Sequence, residues 1–86
     1  MIMEIVYRKK FQKAFNKQSQ KIQNKFFEKL EVFKNNPFHY SLNDHALGGE
    51  FKGVRSFDIT GDIRVHYTET NNVAVFLMIG SHSQLY

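Results

Sequence analysis

The sequence predicts an α+β fold in which a helical hairpin packs on one face of a small antiparallel sheet. Apolar residues recur at helical spacing within residues 8–33 and at every second position within residues 51–79. Two turn signals, Thr60-Gly61 and Asn71-Asn72, divide the alternating region into strands. The chain has 86 residues, of which 42% are hydrophobic, and this fits a single small domain over residues 1–86.

One strand and two helices are predicted in the amino-terminal part. Residues 2–7 are typical of a short strand, and residues 8–17 predict a short amphipathic helix. Ser19 is expected to cap a second helix, which ends at the Asn-Asn-Pro of residues 35–37. The apolar face of this second helix is formed by Ile22, Phe26, Leu30 and Phe33. Because their connection is very short, the two helices are expected to form an antiparallel hairpin.

Three further strands are predicted after a loop at residues 37–48. They cover residues 51–59, 62–68 and 73–79. Because hairpin turns join them, neighbouring strands are expected to pair antiparallel, and Gly80 is expected to end the last strand. The complete predicted order is β-α-α-β-β-β.

The alternation assigns the side chains of these strands to two faces of the sheet. The core face is predicted to carry Phe57, Ile59, Ile63, Val65, Tyr67, Val75, Leu77 and Ile79. The opposite, exposed face is predicted to carry Lys52, Asp58, Asp62, Arg64 and His66. His66 is expected to be a solvated strand histidine. His45 lies just before these strands and His82 just after them.

The charge is distributed unevenly along the chain. Residues 1–36 contain nine Lys and Arg against three Asp and Glu, a net charge of +6. Residues 37–86 contain three against five, a net charge of −2. A basic helical region favours a polyanion such as nucleic acid, because binding releases counterions. The alternative, that the lysines only solvate the outer sides of two helices, stays open at this point.

Several classes of protein are excluded by composition. The sequence has no cysteine, which excludes a disulfide framework, thiolate catalysis and Cys-rich metal sites. The longest apolar run, residues 73–79, is far shorter than the ~20 residues that span a bilayer. The first residues include Glu4 and no basic segment, unlike a secretory signal peptide. We therefore expect a cytosolic protein with no membrane partner.

The predicted polar face combines acids, bases and fixed positive charge. RNA cleavage by attack of the ribose 2′-OH needs such a mixture, because one group removes a proton, one supplies a proton and cations stabilise the phosphorane. This chemistry requires no metal, and the four histidines lack the spacing of known metal motifs. We expect no cofactor. The alternative is that these residues form only the wet side of a sheet covered on one face.

Three sequence blocks resemble the RelE/YafQ toxins of bacterial type II toxin–antitoxin modules. The blocks are D-H-A-L-G-G-E-F-K-G-V-R-S at 44–56, G-D-I-R-V-H-Y at 61–67 and I-G-S-H-S-Q-L-Y at 79–86. The resemblance implies the RelE-like form of the β-α-α-β-β-β arrangement. It also implies cleavage of mRNA in the ribosomal A site, without a metal, and inhibition by a cognate antitoxin.

The YafQ branch is the most similar in the first and last blocks, and it implies catalytic roles for His45, Asp62 and His82. It also places Tyr86, a terminal aromatic residue, near the scissile bases as a substrate-binding residue. Asp58 stands where YafQ has a second central histidine. Its catalytic role therefore stays open.

The RelE branch is the more similar in the G-D-I-R-V segment. It implies that Arg64 contacts the scissile phosphate. Lys52 matches a lysine of the family that stabilises the phosphorane or lowers a nearby pKa. Arg55, in the K-G-V-R segment, is assigned to substrate binding. RelE has an arginine where this chain has Met78, which suggests that histidines carry out the proton transfers here.

Two functions from different classes follow from the resemblance. The first is a ribosome-dependent endoribonuclease whose basic helices contact ribosomal RNA and whose partner is an antitoxin protein. The second is a ParE-like toxin of the same superfamily, which inhibits DNA gyrase by binding and cleaves nothing. A pure binding protein has no use for the acid/base set of His45, Asp62 and His82, so the nuclease is preferred.

Overall fold

A five-stranded sheet forms the centre of the protein, and two helices cover one of its faces. The computed structural model describes residues 3–86. The strands are β1 (Glu4–Tyr7), β2 (His45–Ala46), β3 (Arg55–Asp58), β4 (Ile63–Thr70) and β5 (Val73–Ser81). The helices are α1 (Lys9–Asn16), α2 (Gln20–Asn35) and the single turn α3 (His82–Leu85), with 3₁₀ turns at Tyr40–Leu42 and Gly49–Phe51. The predicted first strand also includes Ile2, which lies outside the described residues.

The sheet is mixed, and the prediction of an antiparallel sheet is wrong at one edge. The strand order is β1-β5-β4-β3-β2, with β1 parallel to β5 and the other neighbours antiparallel. Tight turns impose antiparallel pairing only on the strands that they join. No such turn joins β1 to β5, so the sequence signals did not determine the direction of β1. The predicted α+β fold, with a helical hairpin on one face, is confirmed.

The helical hairpin is attached to the sheet mainly by phenylalanine side chains. Phe11 of α1 and Phe26 of α2 meet Phe76 of β5, with ring centroids 5.5 and 6.0 Å from the Phe76 ring. Phe33 of α2 stacks on Phe57 of β3 at 4.7 Å. The predicted cap of α2 is also present, because the Ser19 hydroxyl accepts a hydrogen bond from the Ile22 amide at 3.2 Å.

A β-bulge changes which side chains of β5 face the core. His66 pairs with Met78 whereas Tyr67 pairs with Phe76, so Leu77 is an extra residue between the two pairs. The buried hydrophobic residues of β5 are therefore Ala74, Phe76 and Ile79, and Val75 and Leu77 are only partly buried. The prediction of a core face at Val75 and Leu77 is therefore wrong. The extra residue Leu77 shifts the alternation by one, so Ile79 faces the core as predicted but the residues before the bulge face opposite to the prediction.

The region before the first hairpin differs from its predicted form. Residues 37–48 were predicted to be a loop, but they include the short strand β2. The predicted strand at 51–59 is shortened to Arg55–Asp58 because residues 49–53 turn sharply. Gly49 and Gly53 adopt positive φ values of 60° and 91°, which suit glycine. The predicted turn between the last two strands is present, with Asn71 and Asn72 at φ values of 50° and 66°.

The last strand continues past the residue that was predicted to end it. Gly80 is buried within β5 and pairs with Arg64 of β4. A Cβ atom on Gly80 would lie 2.8 Å from the Gln84 side-chain oxygen. The absence of a side chain at Gly80 therefore allows α3 to fold back closely against the end of β5. Within residues 3–86, no helix is long and apolar enough to cross a membrane.

Candidate active site on the outer face of the sheet

Two rows of paired residues cross the face of the sheet that the α1–α2 hairpin leaves open. One row joins His45, Ser56, His66 and Met78 on successive strands from β2 to β5. The adjacent row joins Asp58, Arg64 and Gly80. Paired residues project to the same side of a sheet, and these alternate with the core residues Phe57 and Val65. We call this side the outer face.

Arg64 lies at the centre of the second row, between a carboxylate and an imidazole. Its Nε donates to Asp58 Oδ1 at 3.3 Å, and its Nη1 lies 3.4 Å from His82 Nδ1. The other Asp58 oxygen accepts a hydrogen bond from the Asn43 side-chain amide at 3.3 Å. A guanidinium can only donate, so His82 Nδ1 accepts this contact. A single ring proton on His82 therefore resides on Nε2.

His45 has the opposite arrangement of its ring nitrogens. It lies in β2 and is exposed, and its Nδ1 is 2.9 Å from the backbone oxygen of Asn43. A carbonyl oxygen can only accept, so Nδ1 carries the proton. The Nε2 of His45 is therefore a free acceptor. In their neutral forms the two outer-face histidines thus present complementary groups, a hydrogen-bond acceptor at Nε2 of His45 and a hydrogen-bond donor at Nε2 of His82.

His66 is buried, contrary to the prediction of a solvated strand histidine. Only 4% of its surface is exposed, and its Nε2 lies 2.9 Å from the Tyr86 hydroxyl. The ring of Phe51 also covers it, with centroids 5.6 Å apart. Burial lowers the pKa of His66 below its ordinary value, and the positive charge of Arg64, together with that of His45 when its ring is protonated, lowers it further. His66 is therefore held as a neutral imidazole beneath the outer face.

Tyr86 connects the buried histidine to the exposed one. Its ring centroid lies 4.6 Å from that of His82 and 5.2 Å from that of Phe51. The amide of Tyr86 donates to the backbone oxygen of His82 at 3.0 Å, which closes the single turn of α3. About half of the Tyr86 residue, 48% of its surface, remains exposed. Tyr86 is thus an aromatic surface that is fixed beside the proton donor of His82.

The other two residues expected on this face are placed at its border. Asp62 is exposed in the turn before β4, and its neighbour Ile63 pairs with Ser81. Asp62 therefore lies at the end of the sheet from which His82 emerges. Lys52 is exposed directly after Phe51. The expected residues His45, Asp58, Asp62, Arg64, His82 and Tyr86 thus belong to one face or to its end, with Lys52 beside them.

Arg55 is not brought to this surface. It pairs with Tyr67 and therefore projects from the helix side of the sheet. Its Nε donates to Asp44 Oδ1 at 2.8 Å, and its guanidinium lies 5.2 Å from the Phe38 ring centroid. The Tyr67 hydroxyl donates to the other Asp44 oxygen, and the Asp44 side chain is almost completely buried. These contacts attach Asp44, the residue directly before β2 and His45, to β3 and β4.

Sequence reasoning missed the contribution of His66 and Phe51. The alternation of β4 placed His66 correctly on the outer face, but the cover over it comes from residues that are distant in sequence. The one available signal was the S-H-S-Q-L-Y segment, in which Ser81 and Gln84 have capping-box spacing. Among residues 3–86, no group of three or more His, Asp or Glu side chains is arranged to hold a metal ion.

Comparison with known proteins identifies one family and several similar folds. Residues 3–86 match the family model described as bacterial toxin of type II toxin–antitoxin system, YafQ. Comparison with curated proteins gives no match.

Three solved structures are similar over nearly the whole chain. A copper-bound mutant toxin from Helicobacter pylori is 29% identical with a TM-score of 0.74, and the match covers 99% of this chain and 100% of that one. YafQ from E. coli is 24% identical with a TM-score of 0.83, covering 98% of each chain. The E. coli DinJ–YafQ toxin–antitoxin complex matches with 23% identity and a TM-score of 0.81, covering 100% of this chain and 99% of that one.

Proposed function

We propose that this chain, which belongs to the YafQ family of toxins of bacterial type II toxin–antitoxin systems, is an endoribonuclease that cleaves mRNA in the ribosomal A site. The observation that carries the proposal is the complementary pair of histidines on the outer face. His45 offers a free Nε2 acceptor, and His82 offers an Nε2 proton. An acid and a base on one open surface suit cleavage of a large substrate by proton transfer.

The proposed reaction is an in-line displacement at phosphorus. His45 Nε2, or the carboxylate of Asp62, removes the proton of a ribose 2′-OH, and the resulting oxygen attacks the adjacent phosphorus. In this step Arg64 turns from His82 Nδ1 to the scissile phosphate, and Nδ1 takes a proton from solvent, so that His82 is an imidazolium. The bond from phosphorus to the 5′ oxygen breaks, and His82 Nε2 gives its proton to that oxygen, which leaves a neutral imidazole. The products are a 2′,3′-cyclic phosphate and a free 5′-hydroxyl, so the protein is left with one proton to return from base to acid.

Arg64 is proposed to bind the scissile phosphate. Its ion pair with Asp58 restricts the guanidinium, and about a quarter of the arginine side chain, 28%, stays exposed to a ligand. Asp58 is thus proposed to orient the phosphate clamp, which gives a role to the residue whose function the resemblance left open. Lys52, which is exposed at the border of the face, adds a second positive charge for the phosphorane.

Tyr86 is proposed to stack on a base of the substrate. Its fixed ring lies beside His82, so a stacked base would bring the neighbouring phosphate close to the proton donor. The hydrogen bond with His66 and the contact with Phe51 hold the ring in one orientation. His66 is therefore a positioning residue in this proposal, and it transfers no proton.

The ribosome and an antitoxin are the proposed partners. A protein of 86 residues has little surface with which to fix an RNA backbone in line, so the ribosome is proposed to supply the mRNA geometry. The lysines along α1 and α2 are proposed to contact ribosomal RNA. Because similar E. coli YafQ occurs in a complex with DinJ, we propose that a small antitoxin covers this chain with an amphipathic segment in the cytoplasm.

Primer extension on mRNA in a purified translation system tests the nuclease directly. Adding the wild-type protein should produce discrete cuts in register with codons, and Arg64→Gln should greatly reduce them because the phosphate clamp is lost. Little cleavage is expected on the same RNA without ribosomes. Intact mRNA together with inhibition of purified DNA gyrase would instead support the ParE-like alternative.

A further inference from the structure

The outer face carries a second concavity beside the candidate active site. It is an open groove with a volume of about 570 Å³ between the start of α1, the end of β5 and α3. This volume is in the range of sites that hold small organic groups. Of the residues that line it, the proposed reaction uses only His66 and Phe51, which hold the Tyr86 ring at one end of the groove.

The floor of the groove is apolar. It is formed mainly by Val54, Leu77 and Met78, which are partly exposed. The bulge in β5 turns Leu77 to this side, next to Met78, so two consecutive residues contribute to one surface. A flat group such as a nucleobase that lies on these side chains removes one of its faces, and the apolar floor, from contact with water.

The rim of the groove is positively charged. Arg8, Lys9 and Lys10, at the beginning of α1, line it and are exposed. Within residues 3–86, none of these three side chains forms an ion pair, and no Asp or Glu lines the groove. An apolar floor with a cationic rim matches the base and the phosphate of a nucleotide.

The groove is continuous with the proposed base-stacking position. Phe51 and His66 line the groove, and the same two rings lie 5.2 and 5.1 Å from the Tyr86 ring. A single-stranded nucleic acid with one base on Tyr86 can therefore continue into the groove without leaving the protein surface.

We propose that this groove binds a nucleotide of the single-stranded mRNA next to the step that is cleaved. The base lies on Leu77 and Met78, and the phosphates contact Arg8, Lys9 and Lys10. The inference rests on the proposed function, because it takes mRNA as the substrate of the same face. It assigns the start of α1 to the mRNA itself, whereas the other lysines of the helices face ribosomal RNA.

The test uses a short, fully 2′-O-methylated single-stranded RNA, which cannot be cleaved because each 2′-OH is blocked. Fluorescence anisotropy is measured over a range of salt concentrations. Lys9→Ala/Lys10→Ala should weaken binding about tenfold and reduce the magnitude of the salt slope by about 1.4. The control Lys21→Ala/Lys25→Ala removes the same charge from exposed residues of α2, which lie outside the groove, and it should weaken binding of this free RNA much less than Lys9→Ala/Lys10→Ala does.

A second measurement locates the base. The Met78 methyl signal in a [¹³C-methyl]methionine spectrum, assigned with Met78→Leu, should shift when the RNA is added. The shift should be lost when the RNA carries abasic sugars. The proposal is refuted if both lysine double variants lose the same amount of RNA affinity, or if the Met78 methyl signal does not shift in the RNA complex.

The same variants separate the groove from the nuclease itself. If wild type cleaves A-site mRNA and Lys9→Ala/Lys10→Ala retains full RNA affinity, the proposal for the groove is wrong, but the proposed nuclease function is supported. If that double variant loses affinity only for an acidic antitoxin peptide, the groove is a protein-binding site and the proposal fails. A wild type that neither binds nor cleaves RNA overturns both.

Discussion

Replacing His66 with glutamine should change how the stability of the protein depends on pH. The folded protein holds His66 as a neutral ring, because burial, then the charge of Arg64 and that of His45 when it is protonated lower its pKa below the ordinary value of 6.5. The unfolded chain binds a proton on this ring as the pH falls through about 6.5. Below about pH 6.5 the unfolded state therefore binds more protons than the folded state. As a result, the free energy of unfolding decreases as the pH is lowered.

The size of this effect has an upper limit set by one proton. The free energy of unfolding should fall by up to about 1.4 kcal/mol for each pH unit below 6.5, until the pH reaches the folded-state pKa of His66. His66→Gln has no imidazole at this position and keeps a polar side chain opposite the Tyr86 hydroxyl. The free energy of unfolding of His66→Gln should therefore lack this pH-dependent decrease. The stability advantage of wild type over the variant should become smaller, or change sign, as the pH is lowered.

Urea unfolding followed by circular dichroism between pH 5 and pH 8 measures both free energies. Tyr86→Phe is the matched control, because it removes the 2.9 Å hydrogen bond but keeps the imidazole. It should be less stable at all pH values by about 1 kcal/mol, with the wild-type pH dependence retained. A constant difference between wild type and His66→Gln from pH 8 to pH 5 would refute the assignment of a neutral, buried His66.

Three other changes probe the site and its support. His82→Ala should reduce A-site cleavage by about 10²–10⁴-fold through loss of the general acid, while binding of the antitoxin persists. His39→Ala is the control and should still cleave, because the His39 ring contacts Tyr40 and Ser41 in the segment before β2. Tyr86→Ala should lower kcat/KM by a factor equivalent to about 1–3 kcal/mol, because the aromatic surface for base stacking is lost. Tyr86→Phe keeps the ring and should lower kcat/KM much less. Gly80→Ala should lower the melting temperature, because its Cβ would lie 2.8 Å from the Gln84 side chain, and an unchanged melting curve would show that α3 moves away freely.

The elements with strong local signals were predicted well from the sequence. The four-residue spacing of Ile22, Phe26 and Leu30 marks one side of α2, and the Ser19 cap forms as expected. The Asn71-Asn72 turn fixes the β4–β5 hairpin because asparagine tolerates positive φ better than most residues. Such signals act over a few residues, so the neighbouring sequence contains all that is needed to read them.

The errors arise where distant residues decide the structure. The direction of β1 depends on its pairing with β5 across most of the chain. The bulge at Leu77 reverses the faces of β5, and no glycine or proline marks it. His66 is buried because Phe51 and Tyr86, 15 and 20 residues away in the sequence, close over it. A period-two pattern gives the face of a side chain but not the presence of a cover.

The chemical roles of the site histidines depend on these same tertiary contacts. His45 and His82 were both named from the sequence, yet their residue type alone allows either to act as acid or base. The distinction comes from a backbone carbonyl at His45 and a guanidinium at His82, which fix opposite ring protons. Exchanging the two roles would require both partners to change. Arg64, the proposed phosphate ligand, therefore also determines which nitrogen of the neutral His82 ring carries the proton.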